Sequence, residues 1–186
     1  MVICPTTLTY NWSAEAEKFF PPDVISVGIV ETSKDNVQEL YQRCNLLVVS
    51  YERVRRDIES LRQLDFFFVV LDEAHIIKNS KASVTEAVKS LSAERKLVLT
   101  GTPLQNRVVE LWSLFDFLMP GFLEDEREFR RNYARFLNGS LKKISNSLEE
   151  GERFINSVRS LKTRIAPFVL RRTKEDVLKE LPPKTI

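Results

Sequence analysis

The sequence predicts an α/β domain in three layers, in which helices cover both faces of a mainly parallel sheet, followed by a helical C-terminal region. Five short runs rich in Val, Ile and Phe have the length of strands, and three of them are almost continuously apolar, as in strands buried on both faces. Segments with helical spacing separate these runs, which is the alternation typical of βαβ units. From residue 108 onward helical patterns prevail, with one candidate strand at 168–170.

The elements follow from the order of these patterns along the chain. The candidate strands are Val2–Cys4, Val24–Val30, Leu46–Ser50, Phe66–Leu71 and Lys96–Thr100. Between them, helical spacing predicts helices over Thr7–Phe20, Asp35–Arg43, Arg53–Leu64 and Ser83–Leu91. In the C-terminal region the expected helices are Val109–Leu118, Glu124–Leu137, Ser157–Ile165 and Thr173–Leu181, with Pro120-Gly121 and Pro182-Pro183 as stop signals. The order of strands within the sheet does not follow from the sequence.

Composition excludes several classes of protein. With 186 residues, 43% of them hydrophobic and 29% charged, the chain is long enough to bury a core and is not a disordered tail. No run approaches the roughly 20 apolar residues of a membrane span, and the start shows no secretory signal. Two cysteines are too few for a disulfide framework, and the single histidine, His75, lacks further ligands at zinc spacing. These observations favour a soluble, intracellular protein without a structural metal.

Charge is unevenly distributed. The chain carries a formal net charge of +2. Residues 1–120 hold 13 basic and 16 acidic side chains, whereas residues 121–186 hold 15 basic and 10 acidic ones. This asymmetry suggests that the C-terminal third meets an anionic partner. A well-solvated helical surface would explain the same counts, and charge alone favours that explanation.

Two adjacent carboxylates, Asp72 and Glu73, follow the apolar strand ending at Leu71 and precede Ala74-His75. Ligands bind at the carboxyl ends of parallel strands in open α/β folds. In nucleotide hydrolysis one carboxylate holds Mg²⁺ through water, while another orients or deprotonates the attacking water. The alternative is that the pair only caps the next helix. The strand before it favours the hydrolytic interpretation.

A second buried strand ends in small hydroxyl residues around a glycine. This strand ends at Thr100, and Gly101, Thr102 and Pro103 follow it directly. The glycine allows close approach of the backbone, and the hydroxyls are available to a carboxylate, water or phosphate. Alone, this segment is only a turn. Its position one helix and one strand after Asp72 favours a functional role.

These motifs together resemble those of the Swi/Snf-type DNA translocases of helicase superfamily two, nearly from end to end. The matching segments are Ile3–Leu8 with Asn11, Trp12 and Glu15 (motif Ia), Val48–Glu52 (motif Ib), Asp72–His75 with Lys78 and Asn79 (motif II), Leu99–Asn106 (motif III), Leu111–Leu118, and Leu170–Lys174 with Leu181–Lys184. The resemblance implies a partial RecA-like lobe one over residues 1–107. It implies a helical protrusion and brace toward a second lobe over residues 108–186. Ile76 and the segment Leu118–Leu123 look most like the branch that removes TATA-binding protein from DNA.

The resemblance also implies roles at the nucleotide site. Asp72 would hold Mg²⁺ through water, Glu73 would activate the hydrolytic water, and both would contact ATP. His75 and Gln105 would connect this site to motif III. The implied cofactors are ATP and Mg²⁺, bound by the whole protein.

On the DNA side, the resemblance implies contacts to the phosphates of double-stranded DNA. They would come from Pro5, Thr6, Thr7 and Ser50, with Thr100 and Thr102 coupling hydrolysis to DNA movement. Hydroxyl and backbone groups hold phosphates without reading sequence. Arg171, Arg172 and Lys174 would lie in the brace, although a solvated basic helix end explains them as well. TATA-binding protein or nucleosomes are the implied partners of the whole protein, and the nucleus is its implied location.

One motif of the family is missing from the sequence. Nucleotide phosphates require a glycine-rich loop ending in Gly-Lys-Thr or Gly-Lys-Ser, and none of the five glycines precedes a lysine. We therefore expect that loop upstream of Met1 and a second lobe after Ile186, and expect the 186 residues alone to be inactive. The alternative is a non-catalytic DNA-binding or protein-docking module with the same fold, but retention of Asp72 and Glu73 favours the enzyme. An RNA helicase fits less well because of the segment Leu170–Lys174 and the helical region.

Overall fold

The structure, a computed structural model, describes residues 1–32, 34–101, 108–134 and 148–172. Its strands form one five-stranded sheet, and all neighbouring strands are parallel. The strands are β1 (Val2–Cys4), β2 (Val27–Val30), β3 (Leu46–Ser50), β4 (Phe66–Leu71) and β5 (Ala93–Val98). The predicted α/β fold with a mainly parallel sheet is therefore confirmed. The predicted start of β2 was three residues too early, and that of β5 was three residues too late.

The strand order is β2-β3-β1-β4-β5, so the first strand of the chain occupies the centre of the sheet. Val2 pairs with Val48 of β3 on one side and with Val70 of β4 on the other. The chain moves in one direction along the sheet from β1 to β2, and in the opposite direction in the three later crossovers. Because crossovers between parallel strands are right-handed, the first helix lies on one face and the following helices lie on the other.

Two of the helices beside the sheet begin at short polar side chains that cap them. Asn36 and Ser50 accept hydrogen bonds from backbone N–H groups one turn into their helices, as N-cap residues do. The α-helices of this part are α1 (Thr9–Phe19), α2 (Val37–Arg43), α3 (Tyr51–Arg56), α4 (Ile58–Leu61) and α5 (Ser83–Lys89), with 3₁₀ helices at Thr6–Leu8 and Ala74–Lys78. The helix predicted over Arg53–Leu64 is thus two helices, which meet at Asp57.

Two apolar clusters fill the space on either side of the sheet. The larger cluster joins β-strand residues such as Ile3, Val69 and Leu71 to side chains of α2, α3, α4 and α5. The smaller cluster joins Val2, Cys4 and Val48 to partly buried side chains of the first helical segment. We call these two sides the covered face and the α1 face, respectively. Burial of apolar surface on both sides explains why the strands are so apolar.

The C-terminal helices of the described residues are α6 (Val108–Leu118), α7 (Glu126–Phe129) and α8 (Leu148–Ile165), with a π-helical turn at Arg130–Ala134 and a 3₁₀ helix at Ala166–Phe168. The candidate strand at 168–170 was wrong, because Phe168 ends a 3₁₀ helix that contains Pro167 and the described residues 169–172 are not in a strand. The predicted helix Glu124–Leu137 begins at Glu126, and its end lies outside the described residues, as does the helix predicted over Thr173–Leu181.

Helix α6 packs against the same body as the sheet. Phe117 is fully buried in the larger cluster, and the Ser113 hydroxyl donates a hydrogen bond of 2.7 Å to the carbonyl of Ile77. Contacts divide the chain into one unit over Met1–Asn138 and another over Gly139–Ile186. The functional division into residues 1–107 and 108–186 stays a prediction. Among the described residues, no helix combines the length and apolar character needed to cross a bilayer.

Candidate functional site

The end of β4 is held from both sides, and this fixes the position of Asp72. The backbone N–H of Asp72 donates to the carbonyl of Ile3 in β1 at 2.8 Å. On the other side, the N–H of Leu99 donates to the carbonyl of Leu71 at 2.7 Å. The partly exposed Asp72 side chain therefore emerges at the carboxyl edge of the sheet, at its centre. Ligands of open α/β folds bind at this edge.

The carboxylate of Asp72 accepts one hydrogen bond on each oxygen. Oδ1 accepts from the backbone N–H of Glu73 at 2.9 Å, and Oδ2 accepts from the indole Nε1–H of Trp12 in α1 at 2.9 Å. The backbone carbonyl of Asp72 accepts from the hydroxyl of the buried Tyr51, at the start of α3, at 2.8 Å. Three separate segments of the chain thus position this residue.

Glu73 adopts a left-handed backbone conformation, with φ 50° and ψ 47°. This conformation is strained for a residue with a side chain and occurs at functional sites. It turns the chain so that the N–H of Ala74 reaches the carbonyl of Leu99 at 3.0 Å. The following 3₁₀ helix receives no hydrogen bond from the Glu73 side chain at its N-cap. Capping by Glu73, one alternative left open by the sequence, is therefore absent here.

The side chains of Glu73 and His75 meet at the surface. Glu73 Oε2 lies 3.2 Å from Nδ1 of His75, and both side chains are partly exposed. The two carboxylates therefore have different surroundings, since that of Asp72 is fixed by two N–H donors and that of Glu73 faces a histidine and solvent. Groups in such different environments suit different tasks in one reaction.

The donor set fits a magnesium ion held through water. No group of three or more His, Cys, Asp or Glu side chains among the described residues could hold a metal directly. Mg²⁺ keeps several waters and takes one or two carboxylates plus substrate phosphates. Each carboxylate oxygen of Asp72 already accepts one hydrogen bond and has a lone pair left for a metal-bound water.

The charge of Asp72 acts on two neutral groups, one in each apolar cluster. Burial, with a smaller contribution from the Asp72 charge, raises the pKa of the Cys4 thiol to about 12. The same two causes, in the same order, raise the pKa of the Tyr51 phenol. Both groups stay protonated at neutral pH, so neither adds a second negative charge beside the carboxylate.

The segments predicted to contact DNA lie side by side at the same edge. Cys4 of β1 is in register with Ser50 of β3, which brings the turn after β1 next to the start of α3. Thr6 and Thr7 are exposed on that turn. The Ser50 hydroxyl is buried and accepts from the N–H of Arg53 at 3.2 Å, so it caps α3. Its contact with a phosphate stays a prediction, as do those of Pro5, Thr6 and Thr7.

The remaining predicted site residues are only partly described. Thr100 is exposed just after the end of β5, whereas Thr102 and Gln105 lie outside the described residues. Arg171 and Arg172 are exposed in the second unit, and Lys174 lies outside the described residues. The roles proposed for these residues stay predictions.

Sequence analysis missed two residues that contact Asp72. Trp12 was identified only as part of motif Ia, and Tyr51 only as part of motif Ib. The helical spacing over Thr7–Phe20 predicted the helix that contains Trp12, but the partner of its N–H lies 60 residues away along the chain. The one available signal is general, because the polar groups of buried Trp and Tyr side chains require partners.

Fold and site place the chain among the parallel α/β domains with a carboxylate pair at the carboxyl edge of the sheet. Residues 1–186 match the family model described as the SNF2-related domain, and the chain belongs to this family. Its relatives include TATA-binding protein-associated factor 172 of Homo sapiens, 44% identical over the whole chain and 10% of that protein. TATA-binding protein-associated factor BTAF1 of Arabidopsis thaliana is 42% identical over the whole chain and 9% of that protein.

A solved structure has the same fold. The Sulfolobus solfataricus SWI2/SNF2 ATPase core in complex with double-stranded DNA matches with a TM-score of 0.73 and 31% identity. The match covers 97% of this chain and 35% of that one. The chain thus spans about a tenth of the length of the curated relatives named above, and about a third of the solved ATPase core.

Proposed function

We propose that these residues form part of an ATP-dependent double-stranded DNA translocase that displaces proteins from DNA. The observation that carries the proposal is the pair of carboxylates at the end of β4, which have different surroundings although they are adjacent in sequence. Membership of the SNF2-related domain family supports it, as does the likeness to an ATPase core that was solved with double-stranded DNA.

In this function Asp72 would hold Mg²⁺ through water and Glu73 would act as the general base toward the attacking water. The bound ion would supply charge stabilisation for the phosphates of ATP. Asp72 suits its role because two N–H donors fix its orientation. Glu73 suits its role because its carboxylate is accessible and contacts His75. His75 and Gln105 connect the nucleotide site to the segment after β5 in this proposal.

The DNA track in this proposal runs along the turn after β1 and the start of α3. Pro5, Thr6 and Thr7 offer an exposed turn, and Ser50 lies beside it in register. Hydroxyl and backbone contacts to phosphates position DNA without sequence preference. Thr100 and Thr102, which follow β5, would couple hydrolysis to movement along this track.

The second part of the proposal concerns the C-terminal region. Residues 1–107 would act as a partial RecA-like lobe one, and residues 108–186 as a helical protrusion and brace toward a second lobe. The exposed cations Arg171 and Arg172 support a brace that meets an anionic surface, and Lys174 extends this series in the sequence.

The names of two relatives support a proposal for the complex that is displaced. Two of them are named TATA-binding protein-associated factors, so we propose TATA-binding protein on DNA as the target. From the resemblance we also propose a role on nucleosomes and in chromatin remodelling. Regulation of transcription in the nucleus would follow from either target.

A second candidate is a non-catalytic DNA-binding or docking module. Within the 186 residues no glycine precedes a lysine, so this part of the protein offers no cradle for the β- and γ-phosphates of ATP. The same observation predicts that the 186 residues alone hydrolyse no ATP above background. DNA-stimulated hydrolysis by this purified chain, abolished by Glu73→Gln, would contradict that prediction.

The deciding experiment uses the full-length protein that contains these residues. Glu73→Gln keeps the shape of the side chain but removes the base, so ATP binding should persist while DNA-stimulated turnover falls about 10²- to 10⁴-fold. ATP binding and steady-state hydrolysis are measured on the same preparation. Hydrolysis near the wild-type rate would show that Glu73 is not the base, and a wild-type protein without DNA-stimulated hydrolysis would favour the docking module.

The DNA track is tested by placing a carboxylate against it. Thr7→Asp and Ser50→Asp should each weaken binding to promoter and random duplexes by a similar factor, and wild-type binding should fall steeply with salt. Gln63→Asp is the matched control, since it adds the same charge on an exposed residue just before β4, at the opposite edge of the sheet. Because Ser50 caps α3, thermal unfolding must show that its variant is folded. A folded Thr7/Ser50 double variant that binds and translocates normally would remove both residues from the track.

A further inference from the structure

The hydrogen bond between Trp12 and Asp72 joins two parts of the site that are distant in sequence. Trp12 lies in the first turn of α1, which follows the exposed turn at Thr6 and Thr7. Its indole Nε1 lies 2.9 Å from Oδ2 of Asp72. Both side chains also line a cavity of about 560 Å³ on the α1 face of the sheet. The indole of Trp12 therefore reaches Asp72 from the α1 face of the sheet, beside this cavity.

An indole N–H is suited to hold a carboxylate in one orientation. The indole N–H only donates, whereas a hydroxyl can donate or accept a hydrogen bond. The indole ring is rigid, and only two side-chain torsions set its position. With the N–H of Glu73 on the other oxygen, the carboxylate plane of Asp72 is fixed at two points. Such hydrogen-bond donors contact the metal-holding side chain and not the metal itself. Their removal typically changes metal affinity or activity 10- to 100-fold.

We propose that Trp12 is a positioning residue, which orients the Asp72 carboxylate for Mg²⁺ and connects it to the helix behind the DNA-contacting turn. This inference rests on the proposed function, because it assigns Mg²⁺ to Asp72. Trp12 does not touch the ion or the nucleotide and acts only through Asp72. A shift of α1 on binding DNA would change the hydrogen bond and thereby the magnesium site.

The chain offers a matched control, because Trp112 is its one other tryptophan. The indole Nε1–H of Trp112 donates to the carbonyl of Glu124 at 3.1 Å, and the side chain is nearly buried. Trp112→Phe and Trp12→Phe thus each remove one indole hydrogen bond and keep an aromatic ring. Only the second variant removes a donor from Asp72.

The first experiment measures DNA-stimulated ATP hydrolysis by the full-length protein as a function of Mg²⁺ concentration. Trp12→Phe should raise the Mg²⁺ concentration for half-maximal activity about tenfold, within the range known for such partners, and high Mg²⁺ should recover much of the rate. Trp112→Phe should leave this concentration unchanged. In an Asp72→Asn background, Trp12→Phe should have no additional effect, since the residues act as a unit.

Different outcomes separate this inference from the proposed function. Equal Mg²⁺ requirements in the two Phe variants, with a wild-type protein that hydrolyses ATP, overturn the inference alone. No DNA-stimulated hydrolysis by the wild-type protein overturns the proposed function and the inference with it. A further effect of Trp12→Phe on hydrolysis in the Asp72→Asn background also overturns the inference.

A second measurement needs no activity and no Trp12 variant. In the ¹⁵N-labelled chain, NMR spectra should show two indole N–H resonances, one for each tryptophan. Asp72→Asn should shift the resonance of Trp12 and leave that of Trp112 in place, because only the first donates to this carboxylate. Titration with Mg²⁺ and ATP of the labelled full-length protein should likewise shift the Trp12 signal first. A Trp12 resonance that neither Asp72→Asn nor Mg²⁺ moves overturns the inference.

Discussion

The two faces of the sheet are covered to very different extents. On the covered face, α2, α3, α4 and α5 pack against the strands, and side chains such as Leu71 and Val69 have no exposed surface. Among the described residues of the first unit, α1 packs against β2 and β3 on the α1 face, while Phe68 of β4 and Leu97 of β5 are 41% and 44% exposed. Within these residues, apolar side chains of β4 and β5 are therefore less buried on the α1 face than on the covered face.

This difference indicates a division of tasks between the faces. Burial of apolar surface is the main source of stability, so the covered face should contribute most of the free energy of folding. The contact between Trp12 and Asp72, by contrast, lies on the α1 face beside a cavity. The site is thus built on the side of the sheet that contributes less to stability.

The largest expected effect compares the same substitution on both faces. Leu71→Ala removes a fully buried side chain from the covered face and should cost about 2–5 kcal/mol. Leu97→Ala, on the neighbouring strand but on the α1 face, should cost less than about 1 kcal/mol, because its side chain is already 44% exposed. Urea unfolding of both variants measures the difference. Similar losses in the two variants would show that both faces contribute equally to stability.

A smaller effect on the free energy of unfolding is expected at Glu73, whose backbone is left-handed. Glycine adopts the left-handed conformation of Glu73 without a steric cost, so Glu73→Gly should raise the free energy of unfolding by about 1 kcal/mol. Glu73→Gln keeps the strain and should leave stability unchanged. Thermal unfolding of both variants compares them. A loss of stability in the glycine variant would show that contacts of the Glu73 side chain outweigh its backbone strain.

The covered face also contains the buried hydroxyl of Thr85 in α5. This hydroxyl has no hydrogen-bond partner in the described structure, and the residue has no exposed surface. Thr85→Val replaces the hydroxyl with a methyl group of similar size and should stabilise the chain by up to about 1 kcal/mol. Chemical denaturation tests this, with Thr163→Val on an exposed position of α8 as the control. A destabilised Thr85→Val variant would indicate that the hydroxyl binds an ordered water.

The smallest effect concerns pH and the loop before α2. Backbone N–H groups of Thr32 and Glu31 donate to the Asp35 carboxylate at 2.6 and 2.9 Å and hold its pKa below the ordinary value of 3.8. Because the pKa is lowered in the folded state, this contribution to stability is present above pH 3.8 and is lost as pH falls through the folded pKa. Asp35→Asn should therefore flatten the acid end of a stability profile measured between pH 2.5 and pH 5, a range of about two pH units around that value. An unchanged slope would mean that these hydrogen bonds do not persist in solution.

Much of the fold could be predicted because its strands are short and apolar. The bounds of β1, β3 and β4 agree with their apolar runs, because the sheet buries most side chains of these strands. The predicted start of β5 was late because Glu94 and Arg95, in its exposed first half, hid the strand in a polar pattern. The order of the strands could not be predicted, because it depends on pairings such as that of Val2 with Val70.

At the site, the position of the carboxylate pair could be predicted from the sequence, but the orientation of these side chains could not. Asp72 and Glu73 lie at the carboxyl edge as expected, because a strand that ends in polar residues places them there. The left-handed conformation of Glu73 could not be foreseen, since only glycine signals such a backbone in a sequence. The donor from Trp12 depends on the packing of α1 across the sheet, and no local pattern encodes that distance.

The central position of β1 has a consequence for how the chain is made. Its residues leave the ribosome before either strand that flanks it, because Val2 pairs with Val48 and with Val70. At a translation rate of roughly 5–20 residues per second, β4 is synthesised roughly 3 to 14 seconds after the segment Val2–Cys4. During that interval an apolar strand with two unpaired edges is open to chaperones and to other nascent chains. The speed of translation over the next 70 or so codons thus sets how long the middle of the sheet stays exposed.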